Sequence, residues 1–450
     1  MNATKRIIAT LVTLGLVSST AVAAPSVKFS YNTFTVTEGV NDAVLAQIKA
    51  DIGKADKAKL SFKLEKITNE DLARFCAAFP DAPELEVSDS KDLDSFAPVA
   101  SLKNLRGFGM SRTKVADLSP LAGLTQLERL DLTGDAFGPD LKWMSRLAKL
   151  EYISLYGGDK LVSFAGIPAL PALKRAAFMN AAPADLTPLV TALTGLTELK
   201  LNNCTLKDLT PLASLAKLDE LNLYGAKVKD FSPLAGCAKL RTLNYYATKD
   251  SDYSTLGKLT QVEDLQGGLT DLADIAWVAA LPNLKKLRVF AENVTDYTPL
   301  AKAKVEHLTI WNMKKNVDLT QLSGATSLTY LKVWSMDKGV SGFDGIGALV
   351  NLKELIINTV NKKEGDVDVA FLKTLVNLEK LELYESKILN FDTVASCAKL
   401  TDVNLVKSTG ITSLAALKKL PALKSLTITK NVFPADELEG FDPKVKITQR

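Results

Sequence analysis

The sequence predicts an α/β repeat protein, a leucine-rich-repeat solenoid with a parallel β-sheet on its concave side and short helical turns on its convex side. The first observation is a period, because Leu201, Leu223 and Tyr245 occupy the same position in three copies spaced 22 residues apart. The second is the leucine spacing L-x-x-L-x-x-L-x-L, seen between residues 215 and 223. A fixed period of 20–29 residues with this core is typical of leucine-rich repeats. One such unit cannot bury its own leucines, so stacked units must do so.

Residues 1–24 have the pattern of a secretory signal peptide. Lys5 and Arg6 precede an apolar run, residues 7–17, that is too short to span a bilayer, and a small-residue cleavage pattern follows at residues 21–23. The alternative is a buried N-terminal helix. No later stretch is long and apolar enough to be transmembrane. We therefore expect an exported protein, periplasmic or extracellular, with no integral membrane segment.

The charge balance argues against some partners. The formal net charge of the 450-residue chain is +4, and two of those charges, Lys5 and Arg6, lie in the predicted signal peptide. The remaining +2 is too balanced to predict nucleic acid or an anionic membrane as a partner. We expect a monomer that binds a protein or a glycan.

Four cysteines could form disulfides in an exported chain, but their positions favour free thiols. Cys237 and Cys397 occupy the same apolar position of two distant repeats, and Cys204 lies at the inner turn of another. With Cys76, they are interpreted as small buried apolar side chains.

The chain divides into a cap, a repeat array and a closing cap. Residues 25–58 predict an N-terminal cap, with a hairpin around Asn32-Thr33 and an amphipathic helix at residues 41–52. Residues 59–430 predict the repeats and residues 431–450 a C-terminal cap, since open ends would expose leucines. Eighteen strands are expected to end at Leu64, Val87, Met110, Leu132, Leu155, Phe178, Leu201, Leu223, Tyr245, Gly267, Val289, Ile310, Val333, Ile357, Leu383, Leu405, Ile428 and Ile447.

Five repeats share a signal of the type Asp-Leu-Ser/Thr-Pro-Leu, beginning at Asp117, Asp185, Asp208, Asp230 and Asp296. We expect the Ser or Thr to cap a short helical turn, with Pro placed where its missing N–H costs nothing. The signal places a turn of helix on the outer face of each repeat and indicates no function.

The pattern L-x-x-L-x-x-L-x-L followed by V-x-D-L-S-P-L resembles bacterial internalin-like leucine-rich-repeat proteins, with 22–23-residue repeats over residues 60–430. The resemblance implies a right-handed curved solenoid that recognises proteins through its concave sheet, often with aromatic side chains. The chain departs from the family where internalins place Asn after the strand; this sequence has Thr113, Asp135, Cys204, Ala226, Thr248, Thr270 and Ser408 there.

The sequence offers little for catalysis. A single histidine, His307, excludes His-based triads and multi-histidine metal sites. Walker loops, G-x-G-x-x-G after a strand and C-x-x-C are all missing from the sequence. We predict a non-enzymatic protein with no catalytic residue, no metal and no cofactor.

One column of residues suggests a binding surface. The residue after the last buried strand position points toward the concave face, because strand side chains alternate. From Leu155 to Leu383 this column holds Tyr156, Met179, Asn202, Tyr224, Tyr246, Gly268, Phe290, Trp311, Trp334, Asn358 and Tyr384. Seven of the eleven are aromatic, whereas a chain with 7% aromatic residues predicts about one. To these rings we add Arg288, Tyr330 and Lys332 on neighbouring exposed positions as predicted partner-binding residues.

Two interpretations of this aromatic column remain open. Aromatic residues favour strands and stack across them, which would only stiffen the sheet. Rigid rings with polar tips are also preferred anchors of interfaces. The sequence therefore predicts a non-catalytic protein-binding module, acting as adhesin, receptor or envelope assembly factor. The alternatives are a lectin-like binder of glycan or cell-wall polymer and a periplasmic inhibitor or scaffold.

Overall fold

The computed structural model describes residues 24–134, 141–157, 161, 163–206, 208–268, 272, 274–313, 316–336, 340–359 and 366–450, without the side chains of residues 246–250 and 268. The predicted signal peptide, apart from residue 24, lies outside this range. The sequence lengthens one repeat at residues 358–368, and residues 360–365 of that insertion also lie outside it.

Strands recur once per repeat along the described chain. They are β1 (Ser26–Ser30), β2 (Thr33–Thr37), β3 (Ser61–Glu65), β4 (Glu84–Ser88), β5 (Gly107–Ser111), β6 (Arg129–Thr133), β7 (Tyr152–Tyr156), β8 (Arg175–Met179), β9 (Glu198–Lys200), β10 (Glu220–Asp230), β11 (Thr242–Asp252), β12 (Asp264–Gly268), β13 (Lys286–Phe290), β14 (His307–Trp311), β15 (Tyr330–Met336), β16 (Glu354–Thr359), β17 (Asp366–Asp368), β18 (Lys380–Tyr384), β19 (Lys387–Leu389), β20 (Asp402–Asn404), β21 (Ser425–Ile428) and β22 (Lys446–Gln449).

The strands alternate with short helices. Five are α-helical in the described residues: α1 (Asp42–Asp51), α2 (Asn69–Ala78), α3 (Thr187–Ala192), α4 (Ala415–Lys418) and α5 (Ala435–Leu438). The others are single turns of 3₁₀-helix at Ile52–Lys54, Ala97–Ser101, Ser119–Gly123, Lys142–Arg146, Thr210–Ser214, Ser232–Gly236, Tyr253–Lys258, Ala276–Ala280, Thr298–Lys302, Leu319–Gly324, Phe343–Ala348, Ala370–Thr374 and Phe391–Ser396.

The strands form one long parallel sheet. Within the described residues twenty strands belong to it, and β17 and β19 form a separate two-stranded sheet. From β2 onward each repeat strand pairs in parallel with the next, for example Leu221 of β10 with Leu243 of β11. The predicted leucine-rich-repeat solenoid is confirmed, and a strand forms at each of the eighteen predicted places. Two strands stop one residue short of the predicted ends at Leu201 and Leu405, and the predicted ends at Leu223 and Tyr245 were wrong, because β10 and β11 continue to Asp230 and Asp252.

The hairpin that precedes the repeats turns one residue earlier than predicted. Strands β1 and β2 pair antiparallel with Ser30 opposite Thr33, so the turn is Tyr31-Asn32 rather than Asn32-Thr33. Both turn residues have positive φ, 49° and 66°. A two-residue hairpin turn with this geometry matches the twist of its strands, which fixes the register.

The core lies between the sheet and the convex turns, and the repeated leucines fill it. Leu215, Leu218, Leu221 and Leu223 are each at most 1% exposed. All four cysteines are free and buried, as the sequence predicted. Burial raises the pKa of Cys76 to about 12 and the pKa of each of the other three thiols to about 11.

The five Asp-Leu-Ser/Thr-Pro-Leu segments form convex turns, but the predicted cap was wrong. In the first, the N–H of Ser119 donates to Asp117 Oδ1 at 2.8 Å, and Ser119 is itself the first residue of the 3₁₀-helix. Aspartate accepts the bond because its carboxylate readily reaches the backbone two residues on. These hydrogen bonds lower the pKa of Asp117 and of its four counterparts.

One core position couples two neighbouring strands. Tyr245 of β11 is 1% exposed, and Gly267 of β12 occupies the equivalent position in the next strand. A Cβ added at Gly267 would lie 2.4 Å from both Cζ and Oη of Tyr245. The tyrosine ring therefore fills the space that a leucine would fill in other repeats, and its buried hydroxyl has no hydrogen-bond partner in the described residues.

Candidate functional site

The concave face of the sheet carries the side chains between the buried leucines. In β10 the exposures alternate, with Leu221 and Leu223 buried, Asn222 half-buried and Tyr224 exposed. The aromatic column predicted from the sequence lies on this face at the carboxyl end of each strand.

The first part of the aromatic column holds exposed tyrosines. Tyr156 is 44% exposed and Tyr224 is 52% exposed. Met179 and Asn202 separate them along the sheet. The side chain of Tyr246 lies outside the described residues, and only its pairing opposite Gly268 is known. The column therefore carries no ring between Tyr156 and Tyr224.

The second part of the column is a compact aromatic cluster on β13–β18, which we call the ridge. Its rings are Phe290, Trp311, Trp334 and Tyr384, all half-buried. Phe290 and Trp311, paired in register, have ring centroids 4.6 Å apart. Trp334 and Tyr384 are two strands apart, yet their centroids approach to 5.7 Å. The ridge therefore consists of two ring pairs on nearby strands, each ring partly exposed.

Asn358 lies on the strand between Trp334 and Tyr384 and is 4% exposed. Its register partner is Tyr384, and its Oδ1 is buried with no hydrogen-bond partner in the described residues. Because the two flanking rings lean toward each other across this strand, they cover the amide. A polar group thus lies unsatisfied directly below the ridge.

Polar neighbours hold the rings of the ridge in place. Lys332 Nζ lies 4.5 Å from the centre of the Trp334 ring, within cation–π range. Asn404 Nδ2 donates to Tyr384 Oη at 2.6 Å. Burial, followed by the neighbouring Glu382, raises the pKa of Tyr384 to about 12, so its hydroxyl stays neutral.

The two other predicted partner-binding residues next to the rings, Arg288 and Tyr330, also have partners. Arg288 donates through Nη2 to both carboxylate oxygens of Asp264 at 2.9 Å. Tyr330 stacks on His307, with centroids 5.5 Å apart and planes inclined by 25°. Burial, ahead of nearby Glu354, raises the pKa of Tyr330. The sheet therefore brings Arg288, Tyr330 and Lys332 beside the ridge, and leaves Tyr156 and Tyr224 apart from it.

Two concave cavities were missed by the sequence reasoning. One, of about 250 Å³, lies before the ridge and is lined by Asn202, Asn222, Tyr224, Asn244, Tyr245, Gln266 and Phe290. The other, of about 370 Å³, lies over β5, where Gly107 and Gly109 leave the concave face bare. We call the second the glycine cleft. Its signal in the sequence is the segment Gly-Phe-Gly-Met-Ser at residues 107–111, because most other strands of the sheet carry polar side chains at the positions of the two glycines.

Structures of other proteins share the fold. A leucine-rich-repeat protein of Leptospira interrogans matches with TM-score 0.54 and 17% identity over 90% of this chain and 98% of its own. The Toll receptor of Drosophila, in complex with Spätzle, matches with TM-score 0.61 and 12% identity over 96% of this chain and 62% of its own. An internalin from Listeria monocytogenes has TM-score 0.44 and 20% identity, over 83% and 96% respectively.

The chain is thus similar to leucine-rich-repeat proteins, bacterial ones included, at the level of the fold, which confirms the resemblance seen in the sequence. No family model matches the sequence, and the search of curated proteins found no match.

Two features are missing from the described residues. No helix among them has the length and apolar character to cross a bilayer. In the same part of the chain, no group of three or more His, Cys, Asp or Glu residues is arranged to hold a metal ion.

Proposed function

We propose that this protein is a non-catalytic binding module that recognises another protein through its concave face, with the ridge as the central contact. The observation that carries the proposal is the ridge itself, two pairs of packed rings on nearby strands, on the solvent face of a sheet whose core is already complete without them. Partner-binding residues would be Phe290, Trp311, Trp334 and Tyr384 with Arg288, Tyr330 and Lys332, and Tyr156, Tyr224 and Tyr246 farther along the column.

The physical state of the rings favours binding over sheet stiffening. Large rings with few rotatable bonds bury much area at low entropic cost, and they are enriched among the residues that dominate interface energies. Lys332 over Trp334 and Asn404 on Tyr384 pre-order two of these rings before a partner arrives. The Toll structure that shares the fold is that of a complex with Spätzle, which is in keeping with this use of the scaffold.

A second candidate ligand is a glycan, and one observation favours it. In the 250 Å³ cavity, the amides of Asn222, Asn244 and Gln266 lie between Tyr224 and Phe290. Amides that pair with hydroxyl groups and rings that stack on sugar faces would suit a neutral saccharide. The ridge extends well beyond this cavity, so we rank protein binding first.

We further propose that residues 1–24 are a signal peptide, that residues 25–58 and 431–450 cap the array, and that the protein acts outside the cytoplasm as an adhesin, receptor or assembly factor. Mass spectrometry of the protein purified from its source would test export, because a mature N-terminus at residue 24 or 25 is expected. An intact Met1 would contradict it.

The binding proposal is tested by affinity capture from envelope extract and culture medium. Wild type is compared with the variant Tyr224→Ala/Trp311→Ala/Trp334→Ala, after circular dichroism shows that both are folded. The matched control is Val350→Ala/Val376→Ala, which removes two exposed apolar side chains, 46% and 52% exposed, outside the sheet.

We expect a protein partner that wild type and the control retain and the triple variant loses. A partner that all three retain would exclude the ridge. A glycan array probed with the same proteins separates the second candidate from the first, since only a glycan binder would give a signal that the triple variant lacks.

A further inference from the structure

The glycine cleft is a gap in the concave surface at the N-terminal end of the sheet. The concave positions of β5 are Gly107, Gly109 and Ser111, so this strand presents almost no side chains to solvent. The strands on either side carry long polar residues at the same positions. The result is a cavity of about 370 Å³ whose walls are polar side chains of β3, β4 and β6 and whose floor is the backbone of β5 with its bare glycine methylenes.

The backbone does not require glycine at these positions. Neither Gly107 nor Gly109 has a φ in the left-handed region. The register of β5 with β4 and with β6 runs unbroken through all five residues, so the strand contains no bulge. Two common reasons for a glycine inside a strand are therefore missing here.

Packing does not require glycine at position 109 either. A Cβ there would lie 3.4 Å from Glu86 Cγ and 3.7 Å from the carbonyl oxygen of Asp131, which is ordinary contact. Gly267, by contrast, cannot accept a Cβ because the Tyr245 ring is 2.4 Å away. A glycine that weakens a strand with no structural need commonly marks a place where a ligand or another chain approaches the backbone.

The charges around the cleft are unbalanced. Its two cations are already engaged, Lys63 with Glu65 at 2.9 Å and Glu86 at 3.5 Å, and Arg129 with Asp131 at 2.6 Å. Three carboxylates, Glu84, Glu86 and Asp131, line the cleft with these two cations, which gives a formal charge of −1.

Glu84 is the carboxylate without a partner. It is half-buried and makes no hydrogen bond or ion pair with the described residues. Its side chain instead leans over the neighbouring strand, where its Cγ would be 3.1 Å from a Cβ at Gly107. A half-buried carboxylate is stabilised by a cation that replaces its lost hydration.

We propose that the glycine cleft receives a lysine or arginine side chain of a partner protein, whose aliphatic stem crosses Gly109 and whose charge pairs with Glu84. The bare methylenes of Gly107 and Gly109 leave room for the stem, and the carboxylate wall suits the charged end. A metal ion fits less well, since no cluster of ligands in the described residues is arranged to hold one. This site is separate from the ridge, and its test does not depend on ridge binding.

The probe is the tripeptide N-acetyl-Ala-Arg-Ala-amide, titrated into the isotope-labelled full chain and followed by NMR at the amide signals of Gly107 and Gly109. The matched probe is the same peptide with citrulline, which keeps the shape of arginine and removes its charge. Three variants are compared with wild type: Glu84→Gln, Gly109→Leu to fill the cleft, and Glu220→Gln as a control at the equivalent position of β10.

We expect saturable shifts of both glycine signals with the arginine peptide and at least tenfold weaker binding of the citrulline peptide. Glu84→Gln should weaken binding at least fivefold, Gly109→Leu should abolish it, and Glu220→Gln should leave it unchanged. The proposal is overturned if neither glycine signal moves, if both peptides bind alike, or if Glu84→Gln and Glu220→Gln behave the same. Since Glu84→Gln adds no bulk, the test holds even if the filled variant misfolds.

Discussion

Alternate residues of the same strands form the two faces of the sheet, the buried face and the concave face, and the two faces differ in composition. The buried face is uniform, with a leucine or another apolar residue at nearly every position, and each one closes the core of its neighbour. The concave face is uneven, with a bare strand at the glycine cleft, mixed polar residues in the middle and two pairs of packed rings at the ridge. The difference agrees with our proposal that the buried face provides stability and the concave face provides recognition, and mutations can test that separation.

The largest expected effect is a loss of stability from Leu221→Ala on the buried face. Leu221 is 0% exposed and packs between repeats, so its truncation should lower the free energy of unfolding by about 2–5 kcal/mol. Urea denaturation followed by circular dichroism measures the loss. A loss below about 1 kcal/mol would mean that neighbouring repeats do not depend on this leucine.

Next comes Gly267→Ala, which tests the fit of Tyr245 against β12. The added methyl would force the buried ring to move, and overpacking of this kind costs about 1–3 kcal/mol. The double variant Tyr245→Leu/Gly267→Ala should recover much of the loss, because the ring that clashes is gone. Denaturation midpoints of wild type, both single variants and the double variant complete the cycle; additive losses would contradict the proposed fit.

On the concave face, Trp334→Ala should cost about 1 kcal/mol or less, since partly exposed surface residues contribute little to stability. The same denaturation experiment, run beside Leu221→Ala, makes the comparison direct. Similar losses for the two variants would favour sheet stacking as the role of the rings. They would also contradict the assignment of stability to the buried face alone.

The smallest effect concerns the convex turns and depends on pH. Its hydrogen bonds with Thr210 lower the pKa of Asp208 below its ordinary value of 3.8. A lowered folded-state pKa stabilises the fold above the unfolded value and loses that contribution as the pH falls through the folded value. Wild type should therefore exceed Asp208→Ala in stability at pH 7, and the gap should narrow below pH 3.8. A gap that widens in acid would be the wrong sign.

Much of the fold could be predicted because it repeats. A leucine period repeated over eighteen copies locates every strand of the array, since an error in one repeat is corrected by its neighbours, but it does not show how far β10 and β11 continue. Local features that do not follow from this period were harder to predict from the sequence. The turn at Tyr31-Asn32 and the aspartate caps depend on single φ values and hydrogen bonds, which a pattern does not record.

The candidate site divides in the same way. The aromatic column was visible because rings are rare in this chain, but the contacts that form the ridge depend on side-chain directions. Trp334 reaches Tyr384 across an intervening strand, which no spacing rule anticipates. The glycine cleft was missed because a surface made by missing side chains leaves only two glycines as its signal.

Site-specific photo-crosslinking tests the central claim most directly. A photoreactive phenylalanine analogue is placed at positions 224 and 311 on the concave face and at positions 350 and 376 outside the sheet, and each protein is irradiated in envelope extract. The account predicts that one discrete protein adduct forms from the two concave positions and not from the other two. Adducts from positions 350 and 376 alone would contradict it and move recognition off the concave face.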